Sequence, residues 1–367
     1  MLNRCVKLPT LRLKTKFESV CSVLIKQGET YNRALGAITG LAIGDALGMP
    51  TQSMSAQSIR HFYGGPITGL VDAVSQQPIA PNMKAASVTD DTEQAFLLAK
   101  RIIADKGNIN NNKYAQNLLD WEDVMREKGS LDLLGPSTKS ALEALVNGVS
   151  PEETGKFGTT NGGAMRATPV GIAFKIGDSL ACQARKSCLI THNTTQGIES
   201  TTLVAAAVSL GIEGCENPLK EAIKFVKSLP KYGNWSAKAS VISRVEFFTK
   251  KSEEVSCLSA SDDDFAEMLQ NDCGTSVEAN ESVAAAFAIA TRFMNDPTKA
   301  ACFAASVGGD TDTIATMCSA MLGSKYGPQV FDAEIRERVL ENLRVDHCYD
   351  VENTVYDLCL IRDNSAQ

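Results

Sequence analysis

Histidine is scarce: the 367 residues hold three, His61, His192 and His347, far apart along the chain. Any bound metal is therefore expected on oxygen rather than imidazole. The 11 cysteines run from Cys5 to Cys359 without one Cys-x-x-Cys pair, and the closest two, Cys182 and Cys188, stand six apart. That spacing excludes a zinc ribbon, and an odd number in a long chain does not suit a disulfide framework. The cysteines read as reduced thiols packed as small hydrophobes. A basic excess is also missing. The chain carries 43 Asp and Glu against 36 Lys and Arg, a net charge of −7, which excludes nucleic acid and an anionic membrane surface as expected partners. The longest unbroken apolar run, residues 283–290, is far short of the roughly 20 needed to span a bilayer. Period-two alternation, a repeat of about 20–50 residues and a low-complexity linker are all absent. With 44% hydrophobic and 22% charged residues, bulk disorder is excluded too.

Alanine-rich segments with helical spacing are abundant, at residues 95–104, 140–146, 199–210, 281–294 and 298–306. Between them stand breaks such as Gly64-Gly65-Pro66, Gly135-Pro136, Asn161-Gly162-Gly163, Gly308-Gly309 and Gly327-Pro328. The expected architecture is one all-α domain over residues 31–360, followed by a short tail at 361–367. Residues 1–30 differ in composition. Arg4, Lys7, Arg12, Lys14, Lys16 and Lys26 face only Glu18 and Glu29, so this reads as a basic N-terminal extension. It suits a solvated tail, an organellar transit peptide or an arm for an acidic partner protein; a cytoplasmic location is the expectation. The polar stretch 250–272 is expected as a surface excursion, and Trp121 and Trp235 as packing residues.

Gly36, Gly40, Gly44 and Gly48 recur every four residues. On a helix they form one slowly drifting stripe, at a cost of about 1 kcal/mol each relative to Ala. Close contact with a second buried helix is the expected compensation, because Asp45 and Arg33 in the same segment exclude a membrane dimer motif.

Two short segments concentrate carboxylates at helix entrances. One is Thr89-Asp90-Asp91-Thr92-Glu93 and the other Gly308-Gly309-Asp310-Thr311-Asp312-Thr313. Helix capping explains one side-chain oxygen apiece, whereas each segment brings two carboxylates that repel one another. Four carboxylates with threonine hydroxyls suit a hard cation, Mg²⁺ or Mn²⁺. The spacing of an EF-hand loop is missing. A third segment, Gly158-Thr159-Thr160-Asn161-Gly162-Gly163-Ala164-Met165-Arg166, reads either as a phosphate cradle or as a tight helix–helix turn, and matches no P-loop. His192, in Thr191-His192-Asn193-Thr194, reads by itself as a structural histidine.

Taken in order, these pieces resemble the ADP-ribosylglycohydrolase family. They are Gly36-Ala37-Ile38-Thr39-Gly40-Leu41-Ala42-Ile43-Gly44-Asp45-Ala46-Leu47-Gly48, then Thr89-Asp90-Asp91-Thr92, Asn161-Gly162-Gly163-Ala164-Met165-Arg166, Thr191-His192 and Gly308-Gly309-Asp310-Thr311-Asp312-Thr313. The resemblance implies a single large orthogonal helical bundle with a binuclear Mg²⁺ centre, Mn²⁺ in some members. By position, Thr89, Asp90 and Asp91 would ligate from one side and Asp310, Asp312 and Thr313 from the other. The metals would hold the ribose 2′- and 3′-hydroxyls and a water beside the anomeric carbon. Asn161, Gly162, Gly163, Met165, Arg166 and His192 would bind substrate. Residues 274–282 would line the adenosine side.

The implied reaction is hydrolysis of the bond between ADP-ribose and an acceptor, with Asp91 or Asp310 as the catalytic carboxylate. The expected partner is an ADP-ribosylated protein or a small ADP-ribosyl compound. A non-catalytic binding or blocking protein on the same fold is the alternative. This chain departs from several relatives at one position: Gln52 stands where they carry a Glu that touches metal or acts in catalysis. Gln52 can hydrogen-bond substrate or water but cannot take a proton, so linkage specificity stays open.

Overall fold

The computed structural model describes residues 28–128 and 134–364. The basic extension, up to residue 27, lies outside the described residues, as do residues 365–367. Eighteen α-helices and no strand form among the described residues. In chain order they begin with α1 (Glu29–Gly48), α2 (Ala56–Tyr63), α3 (Asp90–Ala104), α4 (Asn111–Lys128), α5 (Pro136–Val146) and α6 (Pro151–Thr154). The middle of the chain builds α7 (Gly162–Met165), α8 (Thr168–Ala173), α9 (Asp178–His192), α10 (Thr195–Ile212), α11 (Pro218–Ser228) and α12 (Val241–Cys257). The last third builds α13 (Asp262–Met268), α14 (Ala279–Arg292), α15 (Pro297–Ala304), α16 (Thr311–Tyr326), α17 (Ala333–Val345) and α18 (Val351–Asn364).

Helices α1, α10, α14 and α16 are buried along nearly their whole length. Small and apolar residues fill most of their turns on every side, which suits the centre of a large bundle rather than its surface. The more amphipathic α11 and α17 bury one stripe and flank this centre. No helix among the described residues is long and apolar enough to cross a membrane, and all nine described cysteines are free thiols.

The glycine stripe of α1 meets α16, the most extensive helix pair in the fold. A Cβ added at Gly36, Gly40, Gly44 or Gly48 would collide with the backbone of Gly323, Ser319, Ala315 or Asp312 respectively. The stripe therefore lets two backbones touch, and its lower end brings α1 to the entrance of α16. There Thr51 Oγ1 and Thr311 Oγ1 lie 3.0 Å apart, and Thr311 donates to the Gly48 carbonyl.

The polar stretch 250–272 lies at the surface as expected, mostly exposed and helical through α12 and α13, with Ser252, Phe265 and Leu269 as its buried residues. Two expectations change. Helix α18 continues past residue 360 to Asn364, with Arg362 buried. That guanidinium donates to the carbonyls of Gly171, Ile172, Phe174 and Ser209 and pairs with Glu213 at 3.1 Å, so it closes the end of α8. Trp121 is buried as expected, but Trp235 is 82% exposed.

Candidate active site

Asp45 organises the first acidic segment. It sits fully buried in apolar α1 and accepts four hydrogen bonds, from the backbone and hydroxyl of Thr89 (2.9 and 2.9 Å) and of Thr92 (3.1 and 2.5 Å). Its two oxygens hold the entrance of α3 as a clamp, so Thr89-Asp90-Asp91-Thr92 has one shape. Burial pushes the Asp45 carboxyl up to about 6, against the pull of those four donors. Thr89 is the N-cap of α3, but Glu93 closes no capping box. Its carboxylate instead takes the Trp121 indole N–H at 2.8 Å and stands 3.2 Å from His347 Nδ1.

The second acidic segment is set by the Gly308-Gly309 turn. Both glycines have φ above +80°, a region costly for a residue with a Cβ, and a Cβ on Gly309 would strike Thr275. The turn is stitched to the segment after α1 by Ser53 N to Gly309 O (2.8 Å) and Gly309 N to Met54 O (2.9 Å). Asp310 N donates to Thr275 O at 2.7 Å. Asp310 occupies the N-cap of α16 but makes no side-chain cap bond, which leaves its carboxylate for other work.

The two segments meet. Thr313 Oγ1 donates to Asp91 Oδ2 at 3.2 Å. Asn161, from the glycine-rich loop, donates to Asp310 Oδ2 at 2.5 Å and to Ser282 Oγ at 2.9 Å. A narrow cavity lies between them, lined by Asp90, Asp91, Asp310, Thr313, Gln52, Asn161, Gly162 and Met165 among others. Thr89 and Asp312 are outside this lining and buried, each next in sequence to a lining residue. The segment 274–282 contributes Val277, whose carbonyl accepts from the Asn161 backbone N–H at 2.9 Å. A larger cavity of about 350 Å³ beside Ile67, Cys302 and Phe303 has only paired charges at its rim and stands apart from the acidic groups.

Gly163, Arg166 and His192 do not line the cavity; they build its back wall. At Gly163 a Cβ would strike Thr201 and Cys188, so the glycine lets α7 approach its neighbours. Arg166 is fully buried and donates to Gln94 Oε1 and Thr191 Oγ1, both at 2.5 Å. Gln94 in turn donates to Asp90 Oδ2 at 3.0 Å, so Arg166 reaches the acidic cup through one amide. His192 is also fully buried, with Nδ1 2.7 Å from Thr191 Oγ1 and Nε2 2.9 Å from Thr160 Oγ1. Burial, and then the Arg166 charge, hold its imidazole well below the usual histidine range.

Burial drives the carboxyls of Asp90, Asp91 and Asp312 well above the usual range, and mutual repulsion adds to it; burial raises Asp310 as well. Three carboxylate oxygens are buried with no hydrogen-bond partner: Asp91 Oδ1 and both oxygens of Asp312. Gln52 Oε1 is in the same condition. Buried acceptors normally find donors, so four orphaned oxygens in one acidic cup fit a cation. The donors are all hard oxygen, which fits Mg²⁺ or Mn²⁺ rather than zinc. The fit is one of donor chemistry rather than of a finished cage, for no three acidic, histidine or cysteine side chains among the described residues already stand at ion-holding spacing.

Sequence reasoning passed over Asp45, although a lone carboxylate inside an apolar helix was a visible signal. Gln94 and Thr160 carried no signal, because their roles depend on partners 72 and 32 residues away.

The profile of the ADP-ribosylglycohydrolase family matches residues 26–364. The chain belongs to that family of glycosidase-type hydrolases. It is similar to the protein YegU of Escherichia coli, 28% identical over 83% of this chain and 90% of that one. It is also similar to the ADP-ribosylhydrolase ARH3 of Bos taurus, 24% identical over 81% of this chain and 86% of that one. A solved structure titled "ADP-ribosylglycohydrolase-related protein complex" shares the fold, with a TM-score of 0.63 at 21% identity over 91% of this chain and 99% of that one.

Proposed function

We propose that this protein is an Mg²⁺-dependent hydrolase that splits the glycosidic bond between ADP-ribose and an acceptor, a modified protein side chain. The carrying observation is the buried cup lined by Asp90, Asp91, Asp310 and Thr313, with Asp312 buried next to Thr313 in sequence and orphaned oxygens on Asp91 and Asp312. Family membership supports the ADP-ribosyl part of the reading.

Thr89, Asp90 and Asp91 on one side and Asp310, Asp312 and Thr313 on the other would hold two Mg²⁺ ions, with Mn²⁺ as a substitute. Bound there, the ions supply Lewis-acid polarisation of sugar hydroxyls and of a water. The chain's own residues do the rest. Asp45 fixes the first ligand segment, Gln94 orients Asp90, and Asn161 orients Asp310. In the reaction the water oxygen bonds to the anomeric carbon while the bond to the acceptor breaks, its electron pair leaving with the acceptor atom. Asp91 or Asp310 takes the proton from water and returns one to the leaving atom. Asp91 is the better placed of the two, since its Oδ1 has no partner while Thr313 steadies its Oδ2.

The test is ADP-ribose release from arginine-modified and serine-modified protein, run beside a small ADP-ribosyl compound, with Mg²⁺ and with chelator. Release that depends on Mg²⁺ and disappears in Asp91→Asn supports the reading. No release from any substrate with either Mg²⁺ or Mn²⁺ sinks it, and release only from the small compound removes the protein acceptor.

A further inference from the structure

Thr160 lines the cavity, yet among the described residues the one hydrogen-bond partner of its hydroxyl lies behind it, at His192. The direction of that bond can be worked out from the far end of the chain of contacts. Arginine offers only donors, so Thr191 Oγ1 accepts from Arg166. The Thr191 hydroxyl then has one proton to give, and its remaining contact is His192 Nδ1 at 2.7 Å. With Nδ1 accepting, the neutral ring carries its proton on Nε2 and donates it to Thr160 Oγ1 at 2.9 Å. The opposite tautomer would leave the buried Thr191 proton without an acceptor, a cost of about 1–3 kcal/mol. In the Nε2–H form the Thr191 hydroxyl and both His192 ring nitrogens are satisfied, while the Arg166 Nε–H lacks a partner in either tautomer and favours neither. The Thr160 hydroxyl proton is left over, on a residue of the cavity wall.

We infer that Thr160 is a ligand-binding hydroxyl whose proton is directed into the cavity by an Arg166–Thr191–His192 relay, to be taken by an acceptor oxygen of the bound ADP-ribosyl group. Arg166, Thr191 and His192 are then positioning residues. The same Arg166 orients Asp90 through Gln94, so one buried cation sets both the cup and the opposite wall. Thr160 is joined by backbone to Asn161, which holds Asp310, so the donor keeps a fixed distance from the acidic cup. The ligand part of this inference rests on the proposed function; the relay does not.

Two measurements on the full chain decide it. Ring ¹⁵N shifts of His192 in the ligand-free protein are expected to report a neutral Nε2–H imidazole from about pH 6 to 8. An Nδ1–H tautomer or an imidazolium overturns the relay. Calorimetric binding of ADP-ribose in Mg²⁺ is expected to weaken roughly tenfold, about 1.4 kcal/mol, in Thr160→Val and to recover in Thr160→Ser. Thr191→Val should produce mixed tautomers and a similar loss, and the double variant should lose little more than either single one. Circular-dichroism melts of each variant separate a lost fold from a lost donor. Wild-type-like binding by Thr160→Val, or no recovery with serine, overturns the ligand assignment while the proposed function stands. Wild-type protein that binds no ADP-ribose overturns both, and the His192 spectrum judges the relay in either case.

Discussion

Thr313 Oγ1 donates to Asp91 Oδ2 at 3.2 Å, joining two acidic helix entrances that lie 222 residues apart in sequence. Thr313→Val removes the donor and keeps the volume. Partners of metal ligands typically contribute about 10–100-fold to affinity or activity, so a loss in that range is expected in Mg²⁺ titrations of turnover, with Thr313→Ser near normal. Equal loss in the serine variant would show that the hydroxyl bond is not what matters.

Asp312 has two buried oxygens without partners among repelling neighbours. In Asp312→Asn the melting temperature in chelator should rise or hold, because a buried acid that is costly to ionise and repels its neighbours is gone. The stabilisation that Mg²⁺ gives the wild type should vanish at the same time. A variant that still gains stability from Mg²⁺ would remove Asp312 from the ligand set.

Gln52→Glu should act in the opposite sense. A fifth carboxylate beside Asp90, Asp91 and Asp310 lowers stability in chelator and enlarges the shift produced by Mg²⁺. Thermal melts with and without the ion check it; an unchanged Mg²⁺ shift would mean that the side chain does not reach the ion.

Gly44→Ala tests the backbone contact of α1 with α16. Alanine in a helix interior ordinarily adds about 1 kcal/mol over glycine. Here the methyl group would enter the Ala315 backbone, so a loss of about 2 kcal/mol or more is expected in urea unfolding. Gly69→Ala, where nothing lies within 4 Å, is the control and should leave stability unchanged. A stabilised Gly44→Ala protein would refute the close packing.

Arg362→Met leaves four carbonyls and the Glu213 carboxylate without their buried cation. A loss of about 3 kcal/mol is expected in urea unfolding, with turnover unchanged below the melting transition. Catalytic loss ahead of unfolding would show that α18 also acts on the site.

The sequence carried the fold class and most of the cup because both are written locally. Helical periodicity in residues 199–210 and 281–294 needs no partner to be visible, and the helices form there. The acidic segments are legible because paired carboxylates at a helix entrance are more than a cap requires. Polarity over residues 250–272 marks the exposed faces of α12 and α13, but it does not show which apolar residues, Phe265 and Leu269 among them, tie those helices to the core. Trp235 goes the other way, since an aromatic ring carries no mark of which side it faces.

What the sequence determined by itself is the set of side chains: paired carboxylates and threonine hydroxyls at helix entrances, on an apolar helical chain that must bury them. Tertiary structure alone decided the roles of Asp45, Gln94, Arg166 and His192. Each of the four is fully buried and bonds to groups distant in sequence, and a buried polar group takes its function from whichever partner satisfies it. That pairing set Arg166 and His192 behind the wall of the cavity and left Thr160 and Gln52 facing into it.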